Sequence, residues 1–150
     1  MGVSQLIRLP ILGAANAGPA TTLAKSTIEG YISVSPALLR SRNYPELIVL
    51  RVKGNSMNQA EINGLRIENG DFVIVDKSRR TPRNREIVVV NDGDNRVNIK
   101  RIYFRPENGQ IDLLSESSES FEPIYLTADE DFDAFIEGTV VQVLKNPPTT

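Results

Sequence analysis

From Leu47 onward the chain is a series of short β-branched runs, each closed by turn-forming residues, and this pattern restricts it to a fold built of strands. The runs are Leu47 to Lys53, Asp71 to Asp76, Glu86 to Asn91, Arg96 to Phe104, Gln110 to Ser115, Pro123 to Thr127 and Phe135 to Leu144. Seven candidate strands without a long helix predict an all-β domain. Asp92-Gly93-Asp94-Asn95 and Glu107-Asn108-Gly109 are the clearest hairpin turns, because Gly and Asn tolerate positive φ. They place Lys100 in mid-strand. Ser35-Pro36-Ala37-Leu38-Leu39 carries the signature of one short helical turn, with Ser35 as cap and Pro36 at the first helical position. Residues 1 to about 25 are rich in Gly, Ala, Pro and Thr, and Pro10, Gly13, Gly18 and Pro19 interrupt any element that begins there. The expected organisation is an extended arm over residues 1–25, one domain over 26–147, and a frayed end at Pro147-Pro148-Thr149-Thr150.

The chain has no His and no Cys. That rules out a Ser-His-Asp triad, a Cys-His nucleophile, a disulfide framework and nearly all transition-metal chemistry. A hydrolytic site must then take its nucleophile from Ser or Thr and its base from Lys or a carboxylate. Ser56, in Val52-Lys53-Gly54-Asn55-Ser56-Met57, and Lys100, in Val97-Asn98-Ile99-Lys100-Arg101, meet those limits. An ordinary lysine, with pKa ~10.4, is protonated at neutral pH, but apolar enclosure disfavours the charged form. Val97, Ile99, Ile102, Tyr103 and Phe104 surround Lys100, and period-two alternation puts Lys100 on one face with Ile102. Gly54 lets the backbone turn sharply before Ser56, exposing its hydroxyl and aiming neighbouring N–H groups, those of Asn55 and Ser56, at a developing oxyanion. A plain loop and a solvated strand lysine fit the same residues.

A formal net charge of −2 and a pI near 5.2 give no global attraction to nucleic acid, so this chain by itself is not expected to bind DNA. No apolar run approaches the roughly 18–20 residues that span a bilayer, and Leu6 to Ala17 lacks the basic start of a signal peptide. The expectation is a soluble cytoplasmic protein without a membrane partner. Lys77 to Arg85 is a basic loop, read as solvated, with a partner or phosphate contact as the alternative. Glu116, Glu119, Glu122, Asp129, Glu130, Asp131 and Asp133 form an acidic stretch without the calcium-loop spacing, and are expected at the surface. No metal and no cofactor are called for.

Gly54-Asn55-Ser56-Met57, then Asn69-Gly70-Asp71-Phe72-Val73-Ile74-Val75-Asp76, then Val97-Asn98-Ile99-Lys100-Arg101 resemble, in that order, the LexA and UmuD family of self-cleaving proteins. Ser120-Phe121-Glu122-Pro123-Ile124 and the closing run Ile136 to Lys145 extend the likeness. Upstream, Ile11-Leu12-Gly13-Ala14-Ala15-Asn16-Ala17-Gly18-Pro19 resembles the segment that these proteins cut between Ala and Gly. The resemblance implies the LexA and signal-peptidase-like fold of short, strongly bent sheets. It also implies Ser56 as nucleophile, Lys100 as general base, and Ala17-Gly18 as the bond cut within the same chain. A homodimer, and activation by a RecA filament on single-stranded DNA, are implied as well. Two departures stand out. The stretch from Asn58 to Gly70 is longer than in LexA, and only 17 residues precede Gly18, where LexA carries a helix-turn-helix domain. The leading expectation is the peptidase domain of an SOS-response repressor. The alternatives are a UmuD-like accessory protein of an error-prone polymerase, activated by the same cleavage, and a dimerisation or regulatory module that does not cut.

Overall fold

The computed structural model describes residues 5–12, 27–39, 43–91, 97–128 and 132–146. All seven expected runs are strands, their ends shifted by no more than two residues: β3 (Leu47–Arg51), β6 (Phe72–Asp76), β7 (Ile87–Asn91), β8 (Val97–Arg105), β9 (Gln110–Leu114), β10 (Ile124–Thr127) and β11 (Ile136–Leu144). Four more accompany them: β1 (Ile7–Leu12), β2 (Ile28–Val34), β4 (Glu61–Ile62) and β5 (Leu65–Arg66). The all-β reading holds, and helical structure among the described residues is limited to single 3-10 turns. One of these, Pro36–Leu38, is capped as expected, with the Ser35 hydroxyl accepting from the Ala37 N–H at 3.2 Å.

Nine strands form one sheet in the order β10-β9-β8-β7-β11-β6-β3-β1-β2. Its central irregularities lie in β11. The first half of β11 pairs with β7 and the second half with β6, and its register shifts between Ile136 and Gly138 and again between Val140 and Gln142. Such bulges sharpen the local twist and re-aim the strand. Gly138 is required there: a Cβ would lie 2.7 Å from Val75 Cγ1 and 2.8 Å from the Asp76 carbonyl oxygen.

Strands β3, β6 and β7 are buried on both faces, which is why they read as unbroken apolar runs rather than alternating ones. Ile48, Leu50, Val73, Val75 and Val89 face one core cluster, which also holds Met57 and Val97. Leu47, Val49, Phe72 and Ile74 face a second, with Leu9 and Val34. A third gathers Val88, Val90, Ile102, Ile111, Leu113 and Ile136 at the other end of the sheet.

The expected arm is corrected in its first part. Ile7–Leu12 is not a linker but a strand, antiparallel to β2 and parallel to β3 through Ile11↔Val49 and Leu12↔Leu50. Pro10 does not break it: it stays in register opposite Tyr31 of β2, and the pairing with β3 begins only at Ile11. The long stretch after Met57 forms the β4–β5 hairpin, turned by Asn63 and Gly64 at φ 53° and 82°, the two positive values of a type I′ turn. The Glu107-Asn108-Gly109 turn is present, with Gly109 at φ 69°, whereas Asp92 to Asn95 lies outside the described residues.

Candidate active site

Strand β3 delivers the chain directly into the turn that carries Ser56. At its end the Val52 N–H donates to the Asp71 carbonyl at 2.8 Å, and the Gly70 N–H returns to the Val52 carbonyl at 2.9 Å. Gly54 then takes φ 83°, a conformation that strains any residue with a Cβ, while its N–H donates to Asn69 Oδ1 at 2.8 Å. The turn is anchored from below by Met57, 2% exposed in the first core cluster, and closed by the Ala60 N–H on the Met57 carbonyl. A fixed neighbour on each side leaves Ser56 half-buried at the edge of a small cleft. Leu50 to Lys53, Met57 and Val97 to Ile99 line that cleft with it.

The other wall of the cleft belongs to the strand of Lys100. Lys100 lies opposite Val88 on β7, shares a strand face with the fully buried Ile102, and is itself 5% exposed. The expectation that this lysine points inward is met. Its side-chain nitrogen sits 5.9 Å from the centroid of the half-exposed Phe121 ring. Removing an amine from water is unfavourable without a compensating hydrogen bond. Lys100 Nζ donates one to Ser115 Oγ at 2.6 Å.

Ser115 begins a strap that sequence reasoning missed, since the acidic stretch around it was expected at the surface. Ser117 Oγ donates to the Asn55 carbonyl at 2.6 Å and accepts from the Glu119 N–H at 3.0 Å. Asn58 and Ser118 exchange two hydrogen bonds at 3.0 Å, and the Gln59 N–H donates to the Glu116 carbonyl at 3.0 Å. Asn55 Nδ2 reaches Glu119 Oε2 at 3.1 Å, and Glu116 pairs with Arg101, the neighbour of Lys100. Residues 115–119 thus bind the serine turn on one side and the lysine strand on the other. One signal pointed to this. The β8–β9 hairpin pairs Arg105 with Gln110 and Arg101 with Leu114, so the residue following β9 comes opposite Lys100.

A second fixture holds the turn from beneath. Lys145 donates to Asp71 Oδ2 at 2.5 Å, Glu68 Oε1 at 2.9 Å and the Arg66 carbonyl at 3.1 Å, while the Asn146 and Glu68 N–H groups also reach Asp71. Burial pushes the Asp71 carboxyl up, but these donors outweigh it and hold the group below the usual carboxylate range. Lys145 is pushed down by burial and more strongly up by the two carboxylates, so it ends above its ordinary value.

The Asn55 and Ser56 N–H groups donate to no protein acceptor among the described residues, which leaves the proposed oxyanion donors available. Ala17 and Gly18 lie outside the described residues. In the basic loop, Arg79 pairs with Glu86 and Arg80 donates to the Ile136 carbonyl, so part of its charge fixes the loop to the sheet. A larger cavity of about 460 Å³, lined by Asp76, Arg79, Glu86 and Asn63 among others, contains neither Ser56 nor Lys100. Among the described residues no helix is long and apolar enough to cross a membrane.

Comparison with known proteins matches residues 10–141 to the Peptidase S24-like family. The chain belongs to that family. It is 32% identical over 142 residues to the LexA repressor of Myxococcus xanthus, covering 95% of this chain and 59% of the repressor. The LexA repressor of Lactobacillus gasseri is 36% identical over 138 residues, 92% of this chain and 58% of its own. That of Staphylococcus epidermidis is 34% identical over 126 residues, 84% and 56% respectively. The chain therefore spans between 50% and 63% of the length of these LexA repressors and the others it matches at comparable identity. As an S24-like protein it joins a peptidase family whose LexA members are named as repressors. The match takes in both Ser56 and Lys100, and includes Ala17-Gly18.

Proposed function

We propose that this chain is a self-cleaving serine peptidase domain of a LexA-like repressor in the DNA-damage response, cutting its own Ala17-Gly18 bond with a Ser56–Lys100 dyad. The observation that carries this reading is a buried lysine amine, tied by a hydroxyl, on the strand whose start lines the cleft of Ser56. In the reaction Lys100 Nζ, as the free amine, takes the Ser56 hydroxyl proton as Oγ attacks the Ala17 carbonyl carbon. The oxyanion so formed faces the Asn55 and Ser56 N–H groups. Collapse breaks the Ala17–Gly18 C–N bond, the Lys100 ammonium returns its proton to the departing Gly18 nitrogen, and water then hydrolyses the Ala17 ester of Ser56.

Tethering supports a cut within the chain. Leu12, the last described residue before the cleavage segment, pairs with Leu50, which itself lines the Ser56 cleft, and with Ile28, where the described chain resumes its strand. From Leu12 the five residues to Ala17 span at most roughly 17 Å when extended. Attachment so close to the nucleophile raises its effective concentration. The repressor reading follows the names of the relatives. A homodimer and a RecA filament as activator belong to this proposal, since the family resemblance implies both.

The test is incubation at about pH 10, near the ordinary lysine pKa, followed by mass spectrometry. Fragments ending at Ala17 and beginning at Gly18 are expected, faster with rising pH as the neutral amine accumulates. Ser56→Ala and Lys100→Ala each abolish them, and the double variant is no worse than either alone, because the two groups act as a unit. An intact wild-type chain, or cleavage at another bond, rejects the reading.

A further inference from the structure

The strap holds the two reactive groups with hydroxyls two residues apart. Ser115 Oγ meets Lys100 Nζ at 2.6 Å, and Ser117 Oγ meets the Asn55 carbonyl at 2.6 Å. In a trans peptide the C=O and the following N–H point in opposite directions within one rigid plane. Fixing the Asn55 carbonyl therefore fixes the direction of the Ser56 N–H, one of the two oxyanion donors. The plane is held from outside the turn as well as within it: the same carbonyl accepts from the Asn58 N–H, but at a longer 3.3 Å. We propose that Ser115 and Ser117 are positioning residues of the self-cleavage, Ser115 orienting the base and Ser117 orienting the nucleophile's own peptide.

This rests on the dyad reading above and adds to it a division of labour that can be measured. The Ser115 hydroxyl accepts from the Lys100 ammonium, a charge-assisted bond that favours the protonated lysine. Losing it moves the pH midpoint of cleavage downward, because the base then deprotonates more easily, while a poorly aimed amine lowers the rate at the alkaline plateau. Ser117 touches no titrating group of the dyad, so its loss lowers the plateau without moving the midpoint. Both residues lie in a segment also tied down by Asn58, Gln59 and Asn55, so either substitution leaves other strap bonds in place.

The experiment is a pH–rate profile of self-cleavage for the full chain and for Ser115→Ala, Ser115→Thr, Ser117→Ala and Ser117→Thr, each with its thermal unfolding midpoint. Ser115→Ala is expected to shift the profile to lower pH by about one unit, the effect of one lost charge-assisted hydrogen bond, and to lower the plateau. Ser117→Ala is expected to lower the plateau by about tenfold, as misaligned donors do, with the midpoint unchanged. Both Thr variants, which keep the hydroxyl, recover the wild-type profile. Profiles that superimpose on wild type overturn the inference, as do Thr variants that behave like Ala. Rate losses without a Ser115 midpoint shift overturn the assignment of Ser115. If the wild-type chain cleaves and Ser56→Ala does not, these outcomes bear on the strap alone; a wild-type chain that never cleaves removes the dyad reading and the inference with it.

Discussion

Lys145→Met isolates the fixture beneath the serine turn, because Met keeps the length of the side chain and removes only its charge and donors. Of the three hydrogen bonds that Lys145 donates, the one to Glu68 counts least: that carboxylate is 55% exposed, and exposed pairs contribute little. The Asp71 carboxylate is only 6% exposed and must give up a hydrogen bond from a cation, which is worth about 1.5–3 kcal/mol. Lys145 is itself 37% exposed, so solvent screening holds the loss near the lower end, about 1.5–2 kcal/mol. At roughly 2–4 °C per kcal/mol for a domain of this size, the unfolding midpoint should fall by about 3–8 °C. The sign with pH follows from Asp71. Its folded pKa is depressed, so the pin contributes fully above the unfolded value near ~3.9 and is lost as pH falls through the lower folded value. On the alkaline side Lys145 titrates above its ordinary value, so the pin persists near pH 10, the pH of the proposed cleavage assay. The measurement is thermal unfolding by circular dichroism of Lys145→Met and its parent, both in a Ser56→Ala background to prevent cutting, at pH 7, at pH 10 and below pH 3. The gap should be present at the two higher values and should narrow at the lowest. A gap that survives undiminished in acid would refute the reasoning, since it would then come from packing of the side chain and not from the ion pair.

Gly138→Ala should destabilise the fold by roughly 1–3 kcal/mol, the usual range for overpacking, because the new methyl meets Val75 Cγ1 and the Asp76 carbonyl on the neighbouring β6; a urea midpoint equal to wild type would contradict the closeness of β11 and β6. Gly18→Glu should stop self-cleavage at pH 10 through bulk and an unpaired charge in a narrow cleft, while the variant still cuts a wild-type arm added in trans, slowly for want of the tether. Normal self-cleavage of Gly18→Glu, followed by mass spectrometry, would reject docking of Ala17-Gly18 beside Ser56.

Sequence alone determined the strands that are buried on both sides or alternate cleanly, since β-branched runs such as Val73-Ile74-Val75 and Ile87-Val88-Val89-Val90 leave few other ways to remove that surface from water. It also determined the chemistry available, because a chain without His or Cys has few candidates for a nucleophile and base. Two elements were legible and still missed. Asn63-Gly64 is a strong hairpin signal, but strands of two residues give it almost no flanking pattern. Ile7–Leu12 hides behind Pro10, whose effect depends on which neighbour needs its N–H, and the partner β3 lies 36 positions further on (Ile11 to Leu47). Tertiary structure decided the rest. The strap of Ser115 and Ser117 carries only Ser and Glu where it matters, residues that read as solvent-facing in any local window. Their role arises from the β8–β9 register, which sets Ser115 against Lys100, and from the path of residues 116–119 back across the serine turn. Local pattern records how much apolar surface a residue must hide, whereas a hydrogen bond between residues 62 positions apart, as between Ser117 and Asn55, depends on where the folded chain brings them.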